Sequence, residues 1–365
     1  MDRTGKVRDL RFVFVHGLSG LGSYEKRYKT FSYWGMLGGD LIRYLNRKGF
    51  RSYAASVAPE GSAWDRACEL YAQITGTLTD YGREHSTRCG HSRYGPDFTD
   101  RPLIPDLSSD SRIVLLGHSF GGATVRLFSE LFANGSREER EYAGTDDISA
   151  LFIGGNADKI HSVVTLAAPT NGTTAYDLFR DSSFDTASVP VPKADQRVAR
   201  VFSSRRAAPR DGRIDSDYAA YDMFIDNAME LNRRISTLEG TYYFAVPCSA
   251  TKLQSDGTHR PVRSVMERLY RRTSALMGAY TGQTAGGFTI DDSWRENDGL
   301  VNTVSAMAPM GAQVADRTQS GPVRGCWNVM PTMFGDHMYL QGGLLKRSRI
   351  RPFYLELLGK ISSLD

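Results

Sequence analysis

The sequence has no uninterrupted run of roughly 18 apolar residues, the length a helix needs to cross the hydrocarbon layer, so no membrane-spanning helix is expected. Cysteine is scarce. Cys68, Cys89, Cys248 and Cys326 are spread over 365 residues with no C-x-x-C pair, which argues against a disulfide framework and leaves free thiols as the expectation. An excess of one charge is also missing: 45 lysines and arginines against 41 aspartates and glutamates give a formal net charge of +4. That balance is too mild to point to a nucleic-acid partner. There is no internal repeat and no low-complexity tract. Arg3, Lys6 and Arg8 precede the apolar run Phe12 to Val15, which is too short for a signal-peptide core and reads as a strand. A cytoplasmic protein and an exported one whose leader has been removed are both compatible with this start.

What is present is enough apolar material, 41% of residues, to build a sizeable core. Strand-like runs recur at Leu10 to Val15, Arg51 to Val57, Arg112 to Leu116, Ser162 to Leu166 and Thr241 to Val246. Helix-length segments lie between the first four, at Trp34 to Lys48, Trp64 to Arg83 and Gly121 to Phe132. This alternation predicts an α/β fold, a mostly parallel sheet with helices on both faces. Ligands bind such sheets beyond the carboxyl ends of the strands. Two turns qualify, His16-Gly17-Leu18 and Gly117-His118-Ser119. The segment Asp181 to Asp217 differs in texture. Lys193, Arg197, Arg200, Arg205, Arg206, Arg210 and Arg213 surround Val198, Val201 and Phe202, which reads as a solvated surface insertion or as a cover that meets lipid or a bulky substrate.

Gly117-His118-Ser119-Phe120-Gly121 follows an apolar strand and opens a helix. A bare G-x-S-x-G is a weak signal, but in this context it is a nucleophile elbow: the flanking glycines allow a sharp turn that exposes the Ser119 hydroxyl. A serine hydroxyl needs a base, and in this arrangement the chain order is Ser, then Asp or Glu, then His. Among the histidines after Ser119, His161 lies in a predicted strand and His259 in a polar stretch, whereas His337 follows Phe334-Gly335-Asp336 in a loop. His337 is the best base on these grounds. Asp298 in Glu296-Asn297-Asp298-Gly299 is the preferred acid, with Asp291 and Asp292 as competitors. The Leu18 and Phe120 amides are the candidate oxyanion donors, while His16 and His118 are read as supports of their turns.

Several longer strings carry a closer match. Phe14-Val15-His16-Gly17-Leu18, Tyr33-Trp34-Gly35, Trp64-Asp65-Arg66-Ala67-Cys68-Glu69, Asn134-Gly135-Ser136 with Glu138 to Ala143, and Glu296 to Thr303 resemble the zinc-containing bacterial lipases of Geobacillus and staphylococci. The resemblance spans about residues 12 to 360. It implies an α/β-hydrolase fold, a triad of Ser119, Asp298 and His337, and hydrolysis of carboxylic esters of water-insoluble lipids, triacylglycerols first among them, at an oil-water interface. It also implies extracellular action. One domain over residues 1–365 is expected, with a zinc-region insertion at about 60–100 and a lid region at about 172–235.

The same resemblance implies a structural zinc ion held by Asp65, His85, His91 and Asp217. Four protein ligands close such a site to water. Cys89, between the two histidines, is a competing thiolate ligand. The family's calcium ligands include acidic residues shortly after the catalytic histidine. Here Met338-Tyr339-Leu340-Gln341-Gly342-Gly343 follows His337 without a carboxylate, so calcium is not expected there. The lid region is shorter than the family's and rich in arginine, which suggests an open cleft. A short-chain carboxylesterase or a polyester hydrolase on the same triad is therefore the enzymatic alternative. A non-catalytic lipid- or polymer-binding module is the alternative from another class.

Overall fold

The computed structural model describes residues 9–143, 147–196, 213–316, 321–343 and 349–365. Most of the arginine-rich stretch, Arg197 to Arg210, and the basic residues Arg3, Lys6 and Arg8 lie outside the described residues.

Six strands form the central sheet: β1 (Leu10–Val15), β2 (Ser52–Ala55), β3 (Arg112–His118), β4 (Ile160–Leu166), β5 (Tyr242–Val246) and β6 (Trp327–Val329). Their order is β6-β5-β4-β3-β1-β2, and every pairing is parallel. All six residues of β1 and all seven of β4 are buried. Successive side chains of a strand point to opposite faces, and each face has its own apolar layer. Val13, Val15, Ile113 and Leu115 pack with α2 (Ala63–Thr75) and α4 (Gly121–Asn134). Phe12, Phe14, Val114 and Leu116 pack on the other side with α1 (Leu41–Arg47) and α6 (Ile350–Ser362). Burial on both faces is why these strands read as continuous apolar runs rather than as alternation.

The first five sheet strands fall where the sequence predicts them, within two residues at either end. Two helical expectations are corrected. Helix α1 begins only at Leu41, because Met36–Gly38 forms a separate 3-10 turn between Gly35 and Gly39, both at positive φ. The segment Trp64 to Arg83 is not one helix: Gly76 adopts φ 67°, accepted cheaply only without a Cβ, and ends α2. Leu78–Asp80 then pairs antiparallel with Tyr94–Asp97, and the short helix α3 (Arg83–Cys89) sits in the loop of this hairpin. All four cysteines are free and buried.

Candidate active site

Strand β3 delivers Ser119 to its carboxyl end with φ 55°, a left-handed conformation rare for a residue with a Cβ. Helix α4 starts two residues later. The turn is so tight that a Cβ on Gly117 would lie 2.2 Å from the Gly121 carbonyl oxygen, and one on Gly121 would lie 2.3 Å from that of Val15. Only glycine fits at both places, which gives the G-x-S-x-G spacing its steric reason.

Ser119 Oγ lies 2.8 Å from His337 Nε2, and His337 Nδ1 lies 2.9 Å from Asp298 Oδ2. The three residues are buried, at 8%, 4% and 0% exposure. Asp298 Oδ1 accepts from the Leu300 and Val301 amides at 3.0 and 2.8 Å, and the His337 amide donates to the Asp298 carbonyl. The carboxylate is therefore fixed on both oxygens. Asp291 instead caps its own turn through Ser293, and Asp292 pairs with Arg295. His161 Nδ1 lies beside Ser162, and His259 Nδ1 beside Thr251.

The loop bearing Asp298 is braced by residues whose role sequence reasoning missed. Asn297 Oδ1 accepts from Gly299, and its amide donates to the Ser274 and Arg295 carbonyls. Asn302 accepts from the Thr174 amide and donates to the Thr174 hydroxyl. These bonds account for both asparagines in the Glu296 to Thr303 string.

Tyr33 was visible only as part of a matching string. Its hydroxyl accepts from the Gly17 amide at 2.9 Å and donates to His118 Nδ1 at 2.6 Å; His118 Nε2 in turn donates to the His337 carbonyl at 2.9 Å. One line of hydrogen bonds thus joins the His16-Gly17-Leu18 turn to His337. Burial, with the nearby His337 charge, pushes His118 well below the usual histidine range. Burial and the neighbouring Arg66 lower His16 to about 3. Both rings are neutral and suit positioning better than proton transfer. Arg66 binds the His16 carbonyl and stacks on Phe120, 5.0 Å from its centroid, so one guanidinium braces both turns that carry the candidate oxyanion donors.

A second cluster lies away from this row. Asp65 comes from the first turn of α2, His85 and Cys89 from α3, His91 from just beyond its Gly90 cap, and Asp217 from the turn Asp215–Asp217. His85 Nε2 lies 3.1 Å from Asp65 and 3.2 Å from Asp217, and His91 Nε2 lies 3.3 Å from Asp217 and 3.7 Å from Asp65. His85 is stacked on Trp64. Burial alone would lower the His85 imidazole, but the Asp217 and Asp65 carboxylates raise it to about 11, a sign that this spot calls for positive charge. His91 Nε2 is buried without a hydrogen bond. Ligand atoms of His85, Cys89, His91 and Asp217 lie within 4.8 Å of one another. Two imidazoles and two carboxylates converging on one buried spot, with the Cys89 thiol beside them, fit a divalent metal.

A family model described as "Lipase-like, C-terminal domain" matches residues 9–187 and 203–351. The chain belongs to this family. Lipase 2 of Staphylococcus aureus is 30% identical to this lipase-like domain over 357 residues, covering 89% of this chain and 49% of the relative. The chain thus spans about half the length of the curated relatives it matches. Among solved structures, EstA from Clostridium botulinum superposes with a TM-score of 0.84 at 32% identity, covering 98% of this chain and 88% of that one. Lipase 1 from Pelosinus fermentans gives 0.78 at 30% identity, covering 98% and 100%. The fold of this lipase-like domain is α/β-hydrolase-like, with a six-stranded parallel sheet at its centre.

Proposed function

We propose that this lipase-like domain is a serine ester hydrolase acting on lipid esters, with triacylglycerol as the leading substrate. The observation that carries the reading is the unbroken row from Ser119 through His337 to Asp298. Ser119 attacks the ester carbonyl while His337 takes its proton, and Asp298 orients the imidazole and stabilises its cation. The Leu18 and Phe120 amides hold the oxyanion. His337 then protonates the leaving alcohol, and water cleaves the acyl-enzyme by the same route.

Asp65, His85, His91 and Asp217 would hold a zinc ion. The ion would supply a cross-link between α2, α3 and the Asp217 turn, not a reacting group, because protein side chains take up its coordination. The reading includes one domain over residues 1–365, with insertions near 60–100 and 172–235 and an extracellular site of action. Its test is a panel of p-nitrophenyl esters from acetate to palmitate, with tributyrin, triolein and a polyester film. Ser119→Ala is the blank, and fluorophosphonate labelling is the check on the nucleophile. Ser119-dependent turnover that favours long chains and rises at an oil surface supports the lipase. A skew to short chains or film assigns an open-cleft esterase or polyesterase, and absence of turnover and labelling favours a binding module.

A further inference from the structure

Arg126 is a buried charge that lacks a charged partner among the described residues. It sits on α4, seven residues beyond Ser119, and is 2% exposed. No described residue gives its guanidinium a carboxylate or a hydrogen bond. Its guanidinium lies over the Trp327 ring on β6, with the guanidinium carbon 5.6 Å from the ring centroid, and near Tyr243 on β5. Burial lowers Arg126 to about 10, which leaves it charged at neutral pH. An unpaired buried cation is costly, so charges in protein interiors are normally matched.

Arg126 borders a cavity of about 360 Å³ between α4, the carboxyl end of α5 (Ile225–Arg234) and the sheet edge at β5 and β6. Trp327, Met229 and Ile235 give it apolar wall, and Arg233 adds a second, exposed guanidinium already paired with Glu230. Asn232 faces it too. Its side-chain amide is spent on the Thr170 carbonyl and on Asn171, whereas its Oδ1 is buried with no hydrogen bond. The cavity therefore presents a cation without an anion and an acceptor without a donor.

We propose that this cavity is a second, non-catalytic site that binds a small carboxylate. The carboxylate pairs with Arg126, its hydrocarbon tail lies on Trp327, Met229 and Ile235, and a water or ligand hydroxyl donates to Asn232 Oδ1. One buried guanidinium matches a monoanion, whereas a phosphate dianion would leave charge over. An apolar wall beside the charge suits a short alkyl tail. The choice of carboxylate also rests on the hydrolase reading, because ester cleavage releases one; the existence of the site does not.

The test is calorimetric titration of the full chain, with Ser119 first capped by an alkyl fluorophosphonate so that the acyl-binding cleft is closed. Butyrate, butyramide and inorganic phosphate are compared. The expected result is one equivalent of butyrate, with butyramide and phosphate weaker by about tenfold or more, the loss of a charge-assisted pair. Arg126→Met should abolish butyrate binding while holding or raising Tm, since it exchanges an unpaired buried charge for an apolar chain. No butyrate binding, equal binding of butyramide, tighter binding of phosphate, or undiminished binding in Arg126→Met would each overturn the proposal. A crystal soaked with 4-bromobutyrate requires no variant and no capping: bromine signal in the Arg126 cavity supports the site, and its absence there overturns it. Failure of Ser119 to label counts against the hydrolase reading alone.

Discussion

Tyr33 transmits position without touching the proposed chemistry. Its hydroxyl lies between the Gly17 amide and His118, and His118 holds the His337 carbonyl. Tyr33→Phe removes both bonds while keeping the ring. We expect kcat on a soluble ester to fall about ten- to hundredfold from misplacement of reacting groups, with KM little changed; steady-state kinetics on p-nitrophenyl butyrate checks this. Ser119→Ala and Asp298→Asn should cost more, about 10⁴-fold in kcat or beyond, and the double variant should lose little more than Ser119→Ala alone. Of these residues only Ser119 announces itself locally, because its glycines answer a steric demand that neighbouring residues create. Asp298, Asp291 and Asp292 are alike as sequence. What separates them is His337, 39 residues further along the chain, which reaches Asp298, a contact that local spacing does not encode, while Asp291 and Asp292 serve their own turn through Ser293 and Arg295.

Helices α2 and α3 meet the Asp217 turn across two imidazoles and two carboxylates, with Arg213 also on Asp65 and Asp217. Without a metal, the two carboxylates have only proton and guanidinium charge to balance them. Removing the metal with a chelator should lower Tm by several degrees before it lowers kcat at 25 °C. Calorimetry alongside an ester assay reads both. The ligand set came from the family resemblance alone, since two histidines six residues apart carry no metal signal by themselves. The break of Trp64 to Arg83 into helix, strand and helix was not legible either, since it hangs on Gly76 alone. Strand β6 was missed for another reason: three residues, Trp327–Val329, are too few to show a period. Asn302 braces the Asp298 loop against Thr174 from 128 residues away. Asn302→Ala should destabilise the fold by about 1–3 kcal/mol through the groups left unpaired, measured by urea denaturation.

Taken whole, the molecule buries carboxylates as well as apolar layers. Desolvation, with help from Asp298, raises Asp336 to about 6, and its oxygens accept from the Glu267 and Met338 amides. A carboxyl with a raised folded pKa holds its proton longer in the native state than in the unfolded one. Stability from this group therefore falls as pH rises from about 4 to about 6 and is constant above. Asp336→Asn should gain stability relative to the parent over that window, seen as a Tm difference that grows with pH and then levels off. The two-faced sheet that encloses these groups was the most legible feature of all. Val13 and Phe14, or Leu115 and Leu116, serve opposite layers, and doubly buried strands leave an apolar run that the sequence cannot hide.

The row at the end of β3 also has a history in time. Ser119 and His337 are 218 residues apart in the chain. At a synthesis rate of roughly 5–20 residues per second, the nucleophile precedes its base by about 10–45 seconds. During that interval the serine has no partner to take its proton. Under the proposed function a ribosome-bound chain lacks its base, and esterase activity begins only once His337 has emerged and the sheet has closed.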